Sequence, residues 1–346
     1  MQKIYMQTLT IRRWTSSVLI FSTLSVLIVF IAMLFGSEAL RPYDVIRTLI
    51  ETITGHHETE ISRTILFQIR LPRILLAAVV GGSLAAAGGV FQAILKNPLA
   101  DPYVLGISSG AALGVLISLF TQINITLLSF TSTTFMAFAG AIITLYVVYK
   151  LSNINGRTPP QTILLVGVMI NAIIFAIILF LTLVIDSNQF YKIFFWLFGY
   201  ISSPDYASLA IISLFAIAGL IILLTQAGSI NLLTLGDDTA QTLGLDVERV
   251  KRRVFIACAL LVAAGVSLCG PIGFLGIIVP HIVRLLLGYD YRIILPVSVI
   301  GGGIFLVIAD TLARTVISPV EIPVGIITAL CGGPYFIYLM RRKRIV

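Results

Sequence analysis

Apolar runs of membrane-crossing length follow one another along most of this chain, separated by short polar or Gly/Pro-rich breaks. A spanning helix needs about 20 apolar residues. Eight runs approach or meet that length: residues 17–36, 74–95, 104–120, 130–149, 162–185, 206–224, 293–309 and 322–340. A ninth stretch, 254–288, is broken by CGPIG at 269–273. It is too long for one span and too short for two full ones, so two short helices meeting at Gly270-Pro271 fit it. The predicted architecture is an all-α polytopic membrane protein of about ten transmembrane helices, some broken or short, in one domain covering 1–346.

Basic residues orient these spans, because cytoplasmic flanks carry an excess of Lys and Arg. With the N-terminus in the cytoplasm and ten crossings, sixteen of the 23 Lys and Arg fall on cytoplasmic flanks, among them Lys96, Lys150, Arg249 and Arg341. Arg41, Arg47, Arg63, Arg70, Arg73, Lys192 and Arg314 fall on the opposite side. Both termini are then cytoplasmic. The first run is charge-free and longer than the apolar region of a secretory leader, so it reads as the first span.

Composition agrees with this reading. Of 346 residues, 58% are hydrophobic and 11% charged, against roughly 25% charged in soluble domains. The net charge of +8 does not point to nucleic acid, because the charges cluster at the ends of apolar runs. Cys258, Cys269 and Cys331 lie inside apolar runs at no metal-ligand spacing and read as small hydrophobes.

Within the spans, Gly81, Gly82, Gly88, Gly89 and Gly301 to Gly303 let helices approach closely. Asn97-Pro98, Asp101-Pro102 and Gly270-Pro271 interrupt helices at matching places in two halves, 70–185 and 254–340. Such breaks mark substrate routes in transporters. Ionisable groups are sparse: Asp310, His281 and Arg284 lie near span ends, and no Asp, Glu or His relay stands at mid-membrane. An ion-coupled secondary carrier would need one, so the driving energy is expected to come from elsewhere. No P-loop, nucleophile elbow, HExxH or paired carboxylates occur, so the chain is predicted to be a transport subunit without catalytic residues and without a cofactor of its own.

One segment breaks the pattern. Residues 230–253, INLLTLGDDTAQTLGLDVERVKRR, are polar-rich. Asp237 and Asp238 suit a helix N-terminus, Gly244 a left-handed C-terminal cap, and Asp246 the cap of a second short helix through Arg253. A compact helix pair facing the cytoplasm is predicted.

Four stretches carry a family resemblance: RLPRILLAAVVGGSLAAAGGVFQAILKNPLADPYVLGISSGAALG, LGDDTAQTLGLDVERVKRR, GFLGIIVPHIVRLLLG and ADTLAR. The chain resembles the permease subunits of type II ABC importers, which take up ferric siderophores, haem and vitamin B12. The resemblance implies a homodimer in the bacterial inner membrane, with two ATPase subunits, which hold ATP-Mg, on its cytoplasmic side. An extracytoplasmic substrate-binding protein is implied on the other. It makes Leu235, Gly236, Asp237, Asp238, Thr239, Ala240, Leu243, Gly244 and Leu245 the element that couples to the ATPase. Arg70, Arg73 and Arg314 are expected to dock carboxylates of the binding protein, the alternative being interfacial anchoring. Pro160 and Gln161 fall at the cytoplasmic gate, where this chain departs from the small hydroxyl residues of relatives. Asn171, further along the same helix, lines the pathway or bonds a neighbouring helix. Residues 190–200, FYKIFFWLFGY, imply a short helix at the outer mouth, and His56 and His57 occupy the first outer loop.

Overall fold

A computed structural model describes residues 10–36, 41–54, 60–122 and 130–341. His56 and His57 lie outside the described residues. The chain begins with α1 (Ile11–Leu34), α2 (Pro42–Thr54) and α3 (Glu60–Thr64), the last running through a π-helical turn, Ile65–Arg70, into α4 (Leu71–Ile94). After a break and a short 3-10 helix, Pro102–Leu105, come α5 (Ile107–Thr121), α6 (Ser132–Leu151), α7 (Pro160–Thr182) and α8 (Ser187–Leu197). Next are α9 (Tyr206–Thr225), α10 (Ala227–Thr234), α11 (Asp237–Thr242) and α12 (Val247–Cys269). The chain closes with α13 (Leu275–Leu287), α14 (Tyr291–Thr315) and α15 (Val324–Arg341).

Among the described residues, seven helices are long and apolar enough to cross a membrane, and α5, α13 and α15 are shorter apolar helices. The apolar windows of α1, α6, α7 and α9 are mostly unburied, as lipid allows. The apolar window of α1 is 17% buried and that of the continuous α3–α4 rod 83%, which makes α4 the axis of the bundle. It packs most extensively on α14, while α5 pairs with α6 and α12 lies against α4, α6 and α9.

Glycine explains how α4 sits so centrally. A Cβ on Gly81 would lie 2.2 Å from the Gly302 carbonyl oxygen, and one on Gly88 would lie 2.3 Å from the Gly276 backbone. These approaches put helix backbones in direct contact, where dispersion between helices replaces the hydrophobic drive that lipid removes.

The two predicted interruptions are present and meet. Asp101 caps the 3-10 helix by accepting from the Tyr103 N–H at 2.9 Å, and its carboxylate also bonds the Phe274 backbone. Gly106, Gly270 and Phe274 have positive φ, and Gly276 abuts Pro102. Non-helical backbone is thus enclosed by protein, the condition for its survival at membrane depth. A cavity of about 580 Å³ lies at this junction, lined by Asp101, Tyr103, Phe198, Pro271, Phe274 and Ile326 among others.

Stretch 254–288 differs from expectation. It holds one full helix and one short one, not two short ones, because α12 runs unbroken from Val247 to Cys269. The short second cytoplasmic helix expected at 247–253 is therefore the first two turns of α12. The change from VERVKRR to apolar residues alters what surrounds the helix, while the helix itself continues unbroken.

Candidate functional site

The polar segment builds a compact knuckle at one end of the bundle. Gly236 is the N-cap of α11, whose first turn carries Asp237 and Asp238 against the positive end of the helix dipole. The helix lasts six residues and closes in a Schellman motif: the Gly244 N–H donates to the Gln241 carbonyl at 3.0 Å and the Leu245 N–H to the Ala240 carbonyl at 3.0 Å. Gly244 has φ +85°, the left-handed conformation that the motif demands. Asp246 then caps α12 by accepting from the Arg249 N–H at 3.1 Å.

The knuckle presents an apolar tip to water. Leu235 and Leu243 are 62% and 60% exposed, with Asp238, Thr239 and Gly244 exposed around them, whereas Ala240 is buried and Leu245 half-buried.

Behind the tip, four elements converge on a buried lysine. Lys251 is 1% exposed; its ammonium donates to Asp237 Oδ2 at 2.6 Å and to the Thr158 carbonyl at 2.8 Å. Glu248, one turn earlier on α12, accepts from the Thr158 N–H at 3.1 Å and from its hydroxyl at 2.6 Å. Lys96, just beyond α4, stands 3.2 Å from Asp237 Oδ1. Partial burial alone would raise the Asp237 carboxyl, but the hydrogen bond and charge of Lys251, followed by those of Lys96, outweigh it and hold the group below its usual value. A lowered folded-state value makes this linkage fully present above the unfolded carboxylate pKa of about 3.9 and lost only as pH falls below it.

The gate candidates belong to the same place. Pro160 opens α7 and is buried, and Gln161 beside it is exposed. Both line a cleft of about 700 Å³ with Lys96, Thr158, Asp237, Asp238 and Glu248. Asn171, half-buried in mid-α7, is not in that cleft; its backbone runs beside Gly106. Lys251, Glu248, Thr158 and Lys96 were not among the predicted site residues. A signal existed for Lys251: it shares the inward α12 face with Val247, Val250 and Val254 at helical spacing, while Arg249, Arg252 and Arg253 point to water.

At the opposite end, Arg70, Arg73 and Arg314 come together. All three residues are buried, at 3%, 6% and 2% exposed. Arg73 holds Asp310 through two nitrogens, at 3.1 and 2.9 Å, and Glu321 at 2.8 Å. Arg314 lies 3.7 Å from the same Asp310. Arg314 and Arg70 also donate to the carbonyls of Ala32 and Met33, at 2.9 and 2.8 Å, capping the end of α1. The Tyr200 hydroxyl donates to Glu321 at 2.7 Å, beneath the Arg73 cation. Cations buried at a helix-packing surface need counter-charge on the spot, and Asp310 and Glu321 supply it within the chain. The predicted outer helix is α8, with Tyr200 just beyond it.

A bundle of apolar helices, a pair of apposed helix breaks and a water-facing knuckle are the parts of a transport subunit. The FecCD transport family model matches residues 24–342. The chain is 42% identical to the cobalamin import system permease protein BtuC of Halobacterium salinarum, over 83% of this chain and 76% of that one. It is 41% identical to the hemin transport system permease protein HmuU of Yersinia pestis, over 80% and 83% respectively. Against the iron(3+)-hydroxamate import permease FhuG of Bacillus subtilis, identity is 36% over 92% and 94%. A solved structure described as an inward-facing metal-chelate type ABC transporter superposes with a TM-score of 0.80 at 27% identity, covering 95% of this chain and 99% of that one.

The chain is therefore a membrane permease subunit of the ABC-importer class. It belongs to the FecCD transport family: a multi-pass transport subunit, not an enzyme, working with ATPase subunits and a substrate-binding protein.

Proposed function

We propose that this permease imports a metal chelate, a ferric siderophore in our reading, by ATP-driven alternating access. It acts as a homodimer in the bacterial inner membrane with both termini in the cytoplasm. No cofactor resides on the chain; ATP-Mg sits on two partner ATPases, each receiving the Leu235–Leu245 knuckle. The observation that carries the reading is the knuckle itself: two exposed leucines on a capped turn, backed by a cleft shared with the start of α7. Nucleotide-driven movement of the knuckle would reopen the pathway at Pro160 and Gln161, with Asn171 further along it. Docking of the binding protein at Arg70, Arg73 and Arg314 would require its carboxylates to displace Glu321, the more exposed of the two internal acids. The family relatives named for cobalamin, hemin and iron-hydroxamate support chelate import. An ion-coupled carrier is disfavoured because Asp310 is committed to Arg73.

The cargo is tested by purifying the binding protein produced alongside this subunit and identifying its bound molecule by mass spectrometry. A ferric siderophore is the expected result. Haem or cobalamin would overturn the siderophore and keep chelate import, while an oxyanion would overturn both.

A further inference from the structure

Among the described residues, α7 packs mainly on α5, α6 and the 3-10 helix, so apolar contact does little to join it to α11. Yet α7 begins in the cleft behind the knuckle. What spans the gap is polar. The Lys251 ammonium bonds Asp237 of α11 on one side and the Thr158 carbonyl on the other, while Glu248 grips the Thr158 N–H and hydroxyl.

The segment carrying Thr158 is stiff. Ile154 and Arg157 exchange backbone hydrogen bonds at 2.8 and 3.0 Å across an Asn155-Gly156 turn in which both residues have positive φ. Pro159 and Pro160 follow at once, their φ locked by the ring. Slack that would absorb a pull on Thr158 is removed on both sides. A charge-assisted hydrogen bond from a buried ammonium is also the strongest short link available between elements that share little packing.

Resting on the ABC-importer reading above, we propose that Lys251 is the positioning residue that makes α11, the start of α12 and the start of α7 move as one body, so that displacement of the knuckle is delivered to Pro160 and Gln161. It touches neither cargo nor nucleotide and acts through Asp237 and Thr158.

The test uses the whole complex of permease, ATPase and binding protein in proteoliposomes. Chelate uptake per ATP hydrolysed is measured for wild type, Lys251→Met and Asp237→Asn. Spin labels at Gln161→Cys and Asp238→Cys, both exposed sites, are placed in a Cys331→Ser background to report the distance between α7 and α11 through the nucleotide cycle. The wild-type separation is expected to stay constant through the cycle, and in Lys251→Met it should change with nucleotide. Uptake per ATP should fall about tenfold or more, the scale of losing one buried charge-assisted bond. Should Lys251→Met fail to insert, Asp237→Asn is expected to show the same separation and the same loss. A wild-type ratio with an unchanged label distance in the variants would overturn the proposal. Absence of ATP-driven uptake in wild type would instead defeat the importer reading, so the two failures are told apart.

Discussion

Asp310→Ala is expected to destabilise the protein by about 3–5 kcal/mol, the cost of leaving a buried charge without its partner. The carboxylate lies between Arg73 and Arg314 and is 1% exposed. Removing it leaves two buried guanidinium groups beside Glu321, which is held from one side of Arg73. Since α4 and α14 are the most closely packed pair and carry these residues, the damage falls on the axis of the bundle. The double variant Arg73→Met/Asp310→Leu should recover part of the loss, because the apolar pair needs no counter-charge while Arg314 and Glu321 still lose their partners. Denaturation in detergent micelles checks both parts, the single variants Arg73→Met and Asp310→Leu closing the double-mutant cycle. Wild-type stability in the Asp310→Ala single variant would remove the pair from its assigned role.

The second large effect concerns the knuckle. Gly244→Val is expected to abolish most ATP-driven uptake without unfolding the bundle. No heavy atom lies within 4 Å of a Cβ built at this position, so a larger side chain meets no obstacle. The penalty comes from backbone alone, about 1–2 kcal/mol for an L-residue held in the left-handed region and aggravated by β-branching. Relief requires the turn to open, which breaks the Schellman bonds to Gln241 and Ala240 and displaces Leu243. Gly244→Asn separates this cause from loss of glycine as such, because asparagine tolerates positive φ. It should retain most uptake. Equal uptake by the valine and wild-type proteins would show that the turn transmits nothing.

Much of this molecule could be read before any coordinates, and the parts that could not share a physical character. Gly244 and Asp246 declare their roles locally, since a left-handed cap and an N-cap depend on a few adjacent residues. The Gly270-Pro271 break was legible for the same reason. The continuity of α12 was not: VERVKRR next to VFIACALL looks like an element boundary, whereas it marks a change of surroundings along one helix. The internal partners of Arg73 were not foreseeable, because Asp310 and Glu321 lie 237 and 248 residues from it. No local rule reveals a counter-ion at that separation. Lys251 stands between these cases. Its place on the apolar face of α12 was visible in the spacing of Val247, Val250 and Val254, but the groups it joins, Asp237 and Thr158, become neighbours only in the fold.

The most direct measurement is uptake of a radiolabelled ferric siderophore into proteoliposomes holding this permease with its binding protein, compared with and without the partner ATPase and ATP. Accumulation only when ATPase and ATP are both present is the expected result. Equal accumulation in vesicles lacking the ATPase, driven by an ion gradient, would contradict it.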